Sequence, residues 1–342
     1  MGKLIECVPN FSEGSDRETI EAIVRAAGSA RGSYVLHVDS GEAANRTVVT
    51  FAGDPESVVE GAFRAVREAA ARIDMRRQRG EHPRIGATDV LPLVPVSGVS
   101  LAECAGLARG LAERVGRELG IPVYCYEAAA STADRRGLEA CRRGEYEGLR
   151  AKLDDPAWRP DFGPAAWNET VARTGATVIG ARNFLGAVNF NLAATGDREA
   201  DLKAAKAIAR EIRAATGGWW SLEGVKAIGW RIEEYGFAQV STNLTDMHRT
   251  GLGEAYRAVA AAARRQGMEL TGTEVIGLLP EWAVVEAGRL AAGEASADPE
   301  RAIQEAIELL GLDTMQAQGR RFDPNEKIVE RVLAAKTRLQ NG

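Results

Sequence analysis

The sequence is poor in the residues that build most recognisable centres. In 342 residues it holds four cysteines and three histidines. Cys7, Cys104, Cys125 and Cys141 are scattered without a CxxC pair, which argues against a zinc ribbon or disulfide framework and for reduced structural thiols. His37, His82 and His248 form neither HxH nor HExxH, so no metal site is expected. A dinucleotide turn, a P-loop and a GxSxG elbow are all missing, since Gly28 and Gly32 make no GxGxxG. No apolar run approaches the roughly 20 residues of a membrane span. The start, Met1 to Glu6, enters strand-like sequence with no signal-type region, so a cytoplasmic protein with no membrane partner is expected. A net charge of −5 argues against a nucleic-acid partner. Lysine is scarce as well, seven against 36 arginines, and such a bias makes any single arginine a weak signal.

What is present describes a soluble globular chain, 45% hydrophobic and 27% charged, long enough for two domains. Residues 3–9 read as a strand ending in the polar turn Asn10 to Gly14. Ser15 is placed as the cap of a helix over 16–30, with Glu18 completing a capping box. Strands over 34–39 and 47–51 flank the polar segment 40–46, and Asp54-Pro55 opens a second helix. Strand 90–96, a helix over 101–119 capped by Ser100 and stopped by Gly120, and strand 121–126 follow. This order is β-α-β-β-α-β extended by α-β, a ferredoxin-like split βαβ unit.

Residues 128–174 lose periodicity and contain the Pro- and aromatic-rich loop Asp154 to Pro164, a functional or connecting loop by its length. From Ala176 a second β-α-β-β-α-β set is expected. It comprises strands 176–180 and 185–192, helix 197–215, hairpin strands 225–232 and 238–244 around Glu233 to Gly236, helix 253–266 and strand 274–278. The tail from Asp298 is helical. The fold class is α/β, of α+β sandwich type with two ferredoxin-like subdomains, divided as 1–178, 179–298 and a tail 299–342.

Three polar clusters fall at strand ends or in loops, where sites on rigid scaffolds sit. They are Asn10 to Gly14, Asp39 to Arg46, and Gly80-Glu81-His82-Pro83-Arg84-Ile85-Gly86-Ala87-Thr88-Asp89. Proline and glycine shape the third, and an imidazole held there is a candidate general base. The alternative for His82 is a hydrogen-bonded loop histidine. His37, within an apolar strand, reads as a satisfied core residue, and His248 as solvated. The residues alone support a two-domain α/β protein with one candidate base.

The segments Ile5 to Gly14, His37 to Thr47 and Gly80 to Asp89 resemble the glutamate formimidoyltransferase (formiminotransferase) family. So do Asp161 to Pro164, Gly175 to Arg182 and Gln239 to Asp246, in the same order. The resemblance implies transfer of a formimidoyl group from N-formimidoyl-L-glutamate to the co-substrate tetrahydrofolate in histidine breakdown. It also implies a homodimer, subdomains whose sheets pack together under outer helices, and His82 as general base. It places folate on Gly163, Pro164, Ala165, Ala166, Trp167, Asn168, Glu169, Thr170, Val171 and Ala172, where Trp167 either stacks on the pterin or anchors the loop. For the donor, Asp39 is assigned to the amidine, and Asn10, Arg46 or Arg84 to the remainder of the substrate. The Arg72 to Arg84 cluster suits the tail of polyglutamylated folate. Two-domain family members carry a cyclodeaminase after this region, and here a cyclodeaminase is expected on a separate protein. Transfer of a formyl group between 5-formyltetrahydrofolate and glutamate, or folate binding without turnover, are the alternatives.

Overall fold

Val8 and Pro9 split the first strand into β1 (Leu4–Cys7) and β2 (Asn10–Phe11), since proline has no N–H to give the ladder. The computed structural model describes residues 2–42, 44–80, 82–213, 221–232, 236–292, 298–314 and 321–341. Glu81 of the loop and Glu233, Glu234 and Tyr235 of the expected hairpin turn lie outside them. The chain forms one unit up to Arg182 and a second from Asn183 to Arg338.

In the first unit α1 (Arg17–Ala27) begins at Asp16, whose carboxylate accepts from the backbone N–H of Glu18 and Thr19. Ser15 is therefore not the cap. Its own N–H donates to Glu13 Oε1, and a carboxylate takes both orphan amides where a hydroxyl takes one. β3 (Ser33–Gly41), β4 (Arg46–Gly53), α2 (Pro55–Arg72) and β5 (Thr88–Ser97) follow. α3 (Leu101–Leu119) starts with the expected Ser100–Glu103 capping box and stops at Gly120 with φ +64°. β6 (Val123–Glu127), α4 (Leu138–Arg142), α5 (Leu149–Asp154), α6 (Glu169–Thr174) and β7 (Thr177–Ala181) complete it.

The strands β3, β4, β1 with β2, and β5 pair antiparallel in that order, the split βαβ arrangement. β7 and β6 then extend the sheet parallel to β5. β7 thus belongs to the first sheet and does not open the second half, and a division at 178/179 cuts through it. A parallel strand needs a crossover, and the poorly periodic stretch carrying α4, α5 and α6 supplies it.

Strand alternation sorts the side chains onto two faces. Ile5, Phe11, Phe51, Leu91 and Leu93 pack with Ile23, Val66 and Leu111 of α1, α2 and α3. On the opposite face, Val90, Tyr124, Tyr126 and Val178 pack with Cys141, Leu149, Leu153 and Val171. His37 is half-buried on β3, an edge strand, so it is not a core histidine.

The second unit has β8 (Gly186–Leu192), α7 (Arg198–Ile212), β9 (Val225–Ile232), β10 (Phe237–Leu244), α8 (Leu252–Arg265) and β11 (Leu270–Ile276). Its sheet runs β11-β8-β10-β9, all antiparallel. This is the ferredoxin-like order again. α9 (Glu281–Ala292), α10 (Pro299–Leu310), α11 (Pro324–Lys327) and α12 (Val329–Asn341) follow, and α10 packs along α9 within this unit, so the expected separate tail begins as part of the second unit. His248 is exposed, its ring stacked on Trp282 at 4.2 Å. Among the described residues no helix is long and apolar enough to cross a membrane.

Candidate active site

The three polar clusters are stitched together in the first unit. Gly14 N–H donates to Asn45 Oδ1 (2.8 Å), and Asn45 Nδ2 donates to the Arg79 carbonyl. Thr47 Oγ1 donates to the Glu13 carbonyl, and Ser12 Oγ to that of Gly86 (2.8 Å). The backbone of the 80–89 loop is also tied to residues 174–176 and to Tyr146, whose N–H donates to the Arg84 carbonyl. Gly86 is required by close approach: a Cβ there would stand 2.0 Å from the Ala176 carbonyl oxygen.

At the centre is Asp89, fully buried at the start of β5. Its Oδ1 accepts from the Ile85 N–H, and its Oδ2 accepts from Arg46 Nη1 and Arg142 Nη2, both at 2.7 Å. Arg46 Nε also donates to Asn10 Oδ1 (3.0 Å), and Asn10 Nδ2 donates to the Val8 carbonyl. Two guanidiniums around one carboxylate leave a net positive charge. Arg142 has a further unused donor, since its buried Nε has no hydrogen-bond partner.

His82 is half-buried beside this cluster. Its Nδ1 lies 2.8 Å from the Pro83 carbonyl oxygen. A carbonyl only accepts, so Nδ1 carries the proton and the neutral ring keeps its lone pair on Nε2. Burial, then the positive charge of Arg46 and of Arg142, lower the imidazole below its ordinary pKa, against the Pro83 bond and Asp89. The ring is therefore neutral at neutral pH. It is a base whose acceptor nitrogen has no partner among the described residues.

Asp39 is exposed on β3 and makes no ion pair among the described residues. It pairs in register with Val48, which in turn pairs with Asn10. Asn10, Val48 and Asp39 thus form one row on one sheet face, with Asp39 two strand spacings, about 10 Å, from Asn10. Arg46 shares that face, two residues before Val48.

Arg84 belongs elsewhere. Its buried guanidinium donates to Gln78 Oε1 and pairs with Glu145 and with both oxygens of Glu147. With its fork occupied, Arg84 is a loop anchor and not the expected substrate ligand. Arg72 and Arg76 are likewise paired, with Glu68 and Glu18 and with Asp74 and Glu169.

The expected folate stretch divides in two. Val171 is buried in the core with Val178, and the Ala172 side chain is buried as well. Asn168 caps α6 through the Val171 N–H, and Trp167 packs on the same core with its ring 6.0 Å from Tyr146. Trp167 is the loop anchor. Gly163, at φ +81°, sits where a Cβ would meet the Ile121 carbonyl oxygen at 2.2 Å. Ala165 and Ala166 line a cavity of about 570 Å³, and Glu169 and Thr170 one of about 610 Å³ that also takes in Arg72, Arg76, Arg77 and Arg173.

Asp89 closes the third polar cluster of the sequence but is given no role there, and Arg142 lies outside all three clusters. An aspartate directly before an apolar run signals a buried carboxylate that must find cations. Arg142 had no such signal.

Two family models match the chain: the formiminotransferase domain, N-terminal subdomain, over residues 4–182, and the formiminotransferase domain over 187–334. The formimidoyltransferase-cyclodeaminase of Sus scrofa is 44% identical over 96% of this chain and 60% of its own length. That of Gallus gallus is also 44% identical, over 98% and 61%. The glutamate formimidoyltransferase of Streptococcus pyogenes serotype M1 is 40% identical over 84% of this chain and 92% of its own length. The chain thus spans about three-fifths of the two-activity relatives.

Proposed function

Because this chain belongs to the formiminotransferase family, we propose that it transfers the formimidoyl group of N-formimidoyl-L-glutamate to tetrahydrofolate in histidine degradation. The observation that carries the reading is the neutral His82, its Nε2 without a partner among the described residues, beside two guanidiniums that share a single carboxylate. The donor offers a reactive amidine and two carboxylates, and the site offers a base and cations.

In the proposed reaction N5 of tetrahydrofolate attacks the formimidoyl carbon, and the N5 proton passes to His82 Nε2. The tetrahedral intermediate then collapses. The bond from carbon to the glutamate nitrogen breaks as that nitrogen takes the proton back from His82. The products are 5-formimidoyltetrahydrofolate and glutamate. Arg46 and Arg142 hold a donor carboxylate, in bidentate fashion where the fork allows, and Asn10 orients Arg46. Asp39, on the same sheet face, is assigned to the cationic amidine. Folate lies against the exposed part of the 163–172 stretch, Gly163 to Thr170. Arg77, whose guanidinium makes no ion pair among the described residues, is the cation in the adjoining cavity best suited to a polyglutamyl tail. The reading extends to a cytoplasmic homodimer.

The test is a transfer assay with formimidoylglutamate and tetrahydrofolate, run beside 5-formyltetrahydrofolate with glutamate. Transfer from the first donor supports the reading. Transfer only in the second pair, or folate binding without transfer from either, overturns it.

A further inference from the structure

α4 has only five residues, too few to be stable alone; at its end the Ala140 carbonyl takes the Arg143 N–H, and the last carbonyls call for donors from outside the helix. Lys152, reaching over from α5, supplies them: its Nζ donates to the carbonyls of Ala140 (3.2 Å), Cys141 and Arg143 (3.4 Å). Three acceptors match the three N–H donors of an ammonium. The same nitrogen lies 4.2 Å from the centre of the Trp158 ring, on its face, and 5.2 Å from that of Tyr124. Arg142 sits between the captured carbonyls, so its path to Asp89 is set by how that helix end is held.

We propose that Lys152 is a positioning residue, which caps α4 and thereby aims the Arg142 guanidinium at Asp89 and at the donor carboxylate. The proposal rests on the functional reading above. The mechanism itself does not use Lys152, which is buried and faces the backbone rather than the His82 cluster.

The charged state of Lys152 gives the proposal a pH signature. Burial pulls the ammonium down to about 8, with the charges of Arg143 and Arg135 acting in the same direction. Arg135 is itself paired with Asp161 at 2.9 Å. The facing Cys141 thiol is pushed up to about 11 by burial, and burial also raises the Tyr124 phenol, so both stay neutral through this range. Above pH 8 Lys152 loses one N–H, and its lone pair then meets a carbonyl oxygen. The end of α4 loosens and the hold on the donor weakens.

Steady-state transfer is measured for the wild type, Lys152→Gln, Arg142→Gln and the double variant between pH 6.5 and 9.5. Lys152→Gln is expected to raise the donor KM about tenfold, the size of one lost charged hydrogen bond, leaving kcat within about twofold and the tetrahydrofolate KM unchanged. The double variant should be no worse than Arg142→Gln, and the alkaline rise in donor KM should vanish once Arg142 is gone. Additive losses in the double variant, or a wild-type donor KM flat across pH 8, would overturn the proposal. If Lys152→Gln does not fold, the wild-type and Arg142→Gln pH series still decides. Absence of transfer by the wild type overturns the functional reading instead, and donor Kd by calorimetry in the same proteins then reads Lys152; a wild type that binds no donor overturns both.

Discussion

The two units share one ferredoxin-like strand order, yet Asp89 in one and Glu274 in the other, both buried carboxylates on a sheet, are held in opposite ways. In the first unit Asp89 takes two guanidiniums at 2.7 Å and a backbone N–H. In the second, Glu274 on β11 is 3% exposed and among the described residues takes only neutral amides, Asn189 Nδ2 at 3.2 Å and Gln239 Nε2 at 3.3 Å. Gln239 also donates to Asn191 Oδ1, while its own buried Oε1 has no partner. The register places Asn191 beside Gln239 and Glu274 beside Asn189, so these four side chains form one polar layer on a sheet face. One fold thus carries an over-compensated charge in one unit and an uncharged frame around a carboxylate in the other. Only the first stands beside a titratable base, and its surplus charge is felt by that base.

Removing the base is the largest test of that asymmetry. His82→Ala should lower kcat/KM for transfer by about 10²- to 10⁴-fold, the usual contribution of general base catalysis. Folate affinity, read by fluorescence titration, should be kept. Full activity in His82→Ala would end the view that the first unit holds the chemistry.

The next test breaks each carboxylate in turn. Asp89→Asn leaves two buried guanidiniums without their counter-ion, and a loss of about 3–5 kcal/mol in denaturant unfolding is expected. Glu274→Gln exchanges a carboxylate for an amide among amides and should lose only about 1–3 kcal/mol. Equal losses would show that the two polar centres are built alike, against the comparison.

Much of this architecture was legible because it follows from local rules. The Ser100–Glu103 box, the Asp54-Pro55 start and the Gly120 stop each stand where capping chemistry requires. The edges of the reading failed where a non-local partner decided the outcome. β7 looked like the start of a repeat because nothing in Thr177–Ala181 says which sheet it will join, and its parallel pairing to β5 is fixed by the crossover. Arg84 looked like an anion ligand because it adjoins His82, but Glu145 and Glu147, some sixty residues away, occupy it. Arg142 was invisible for the same reason in reverse. A five-residue helix has no periodicity to read, and its placement depends on Cys141 entering the core and on Lys152 holding its end. Asp16 displaced Ser15 as a cap through a choice between neighbouring side chains, which is the smallest kind of miss.

The finest test leaves both folds intact and reads only the field at His82. A positive charge close to an imidazole disfavours its protonation, so Arg46 and Arg142 hold the ring's pKa below the ordinary value. The base works when neutral. Transfer is therefore kept to a lower pH than an unperturbed imidazole would allow and is lost only as the pH falls through the lowered pKa. Arg46→Gln removes one of the two cations, the stronger in its effect on His82, and the pKa should rise. The acid limb of kcat/KM should then move to higher pH, further than in Arg142→Gln, with the profile at neutral and alkaline pH set by other groups. Glu274→Gln, in the unit whose polar layer has no such neighbour, should leave the limb where the wild type has it. An acid limb that stays fixed in Arg46→Gln, or one that shifts equally in Glu274→Gln, would mean that the surplus charge around Asp89 does not tune the base.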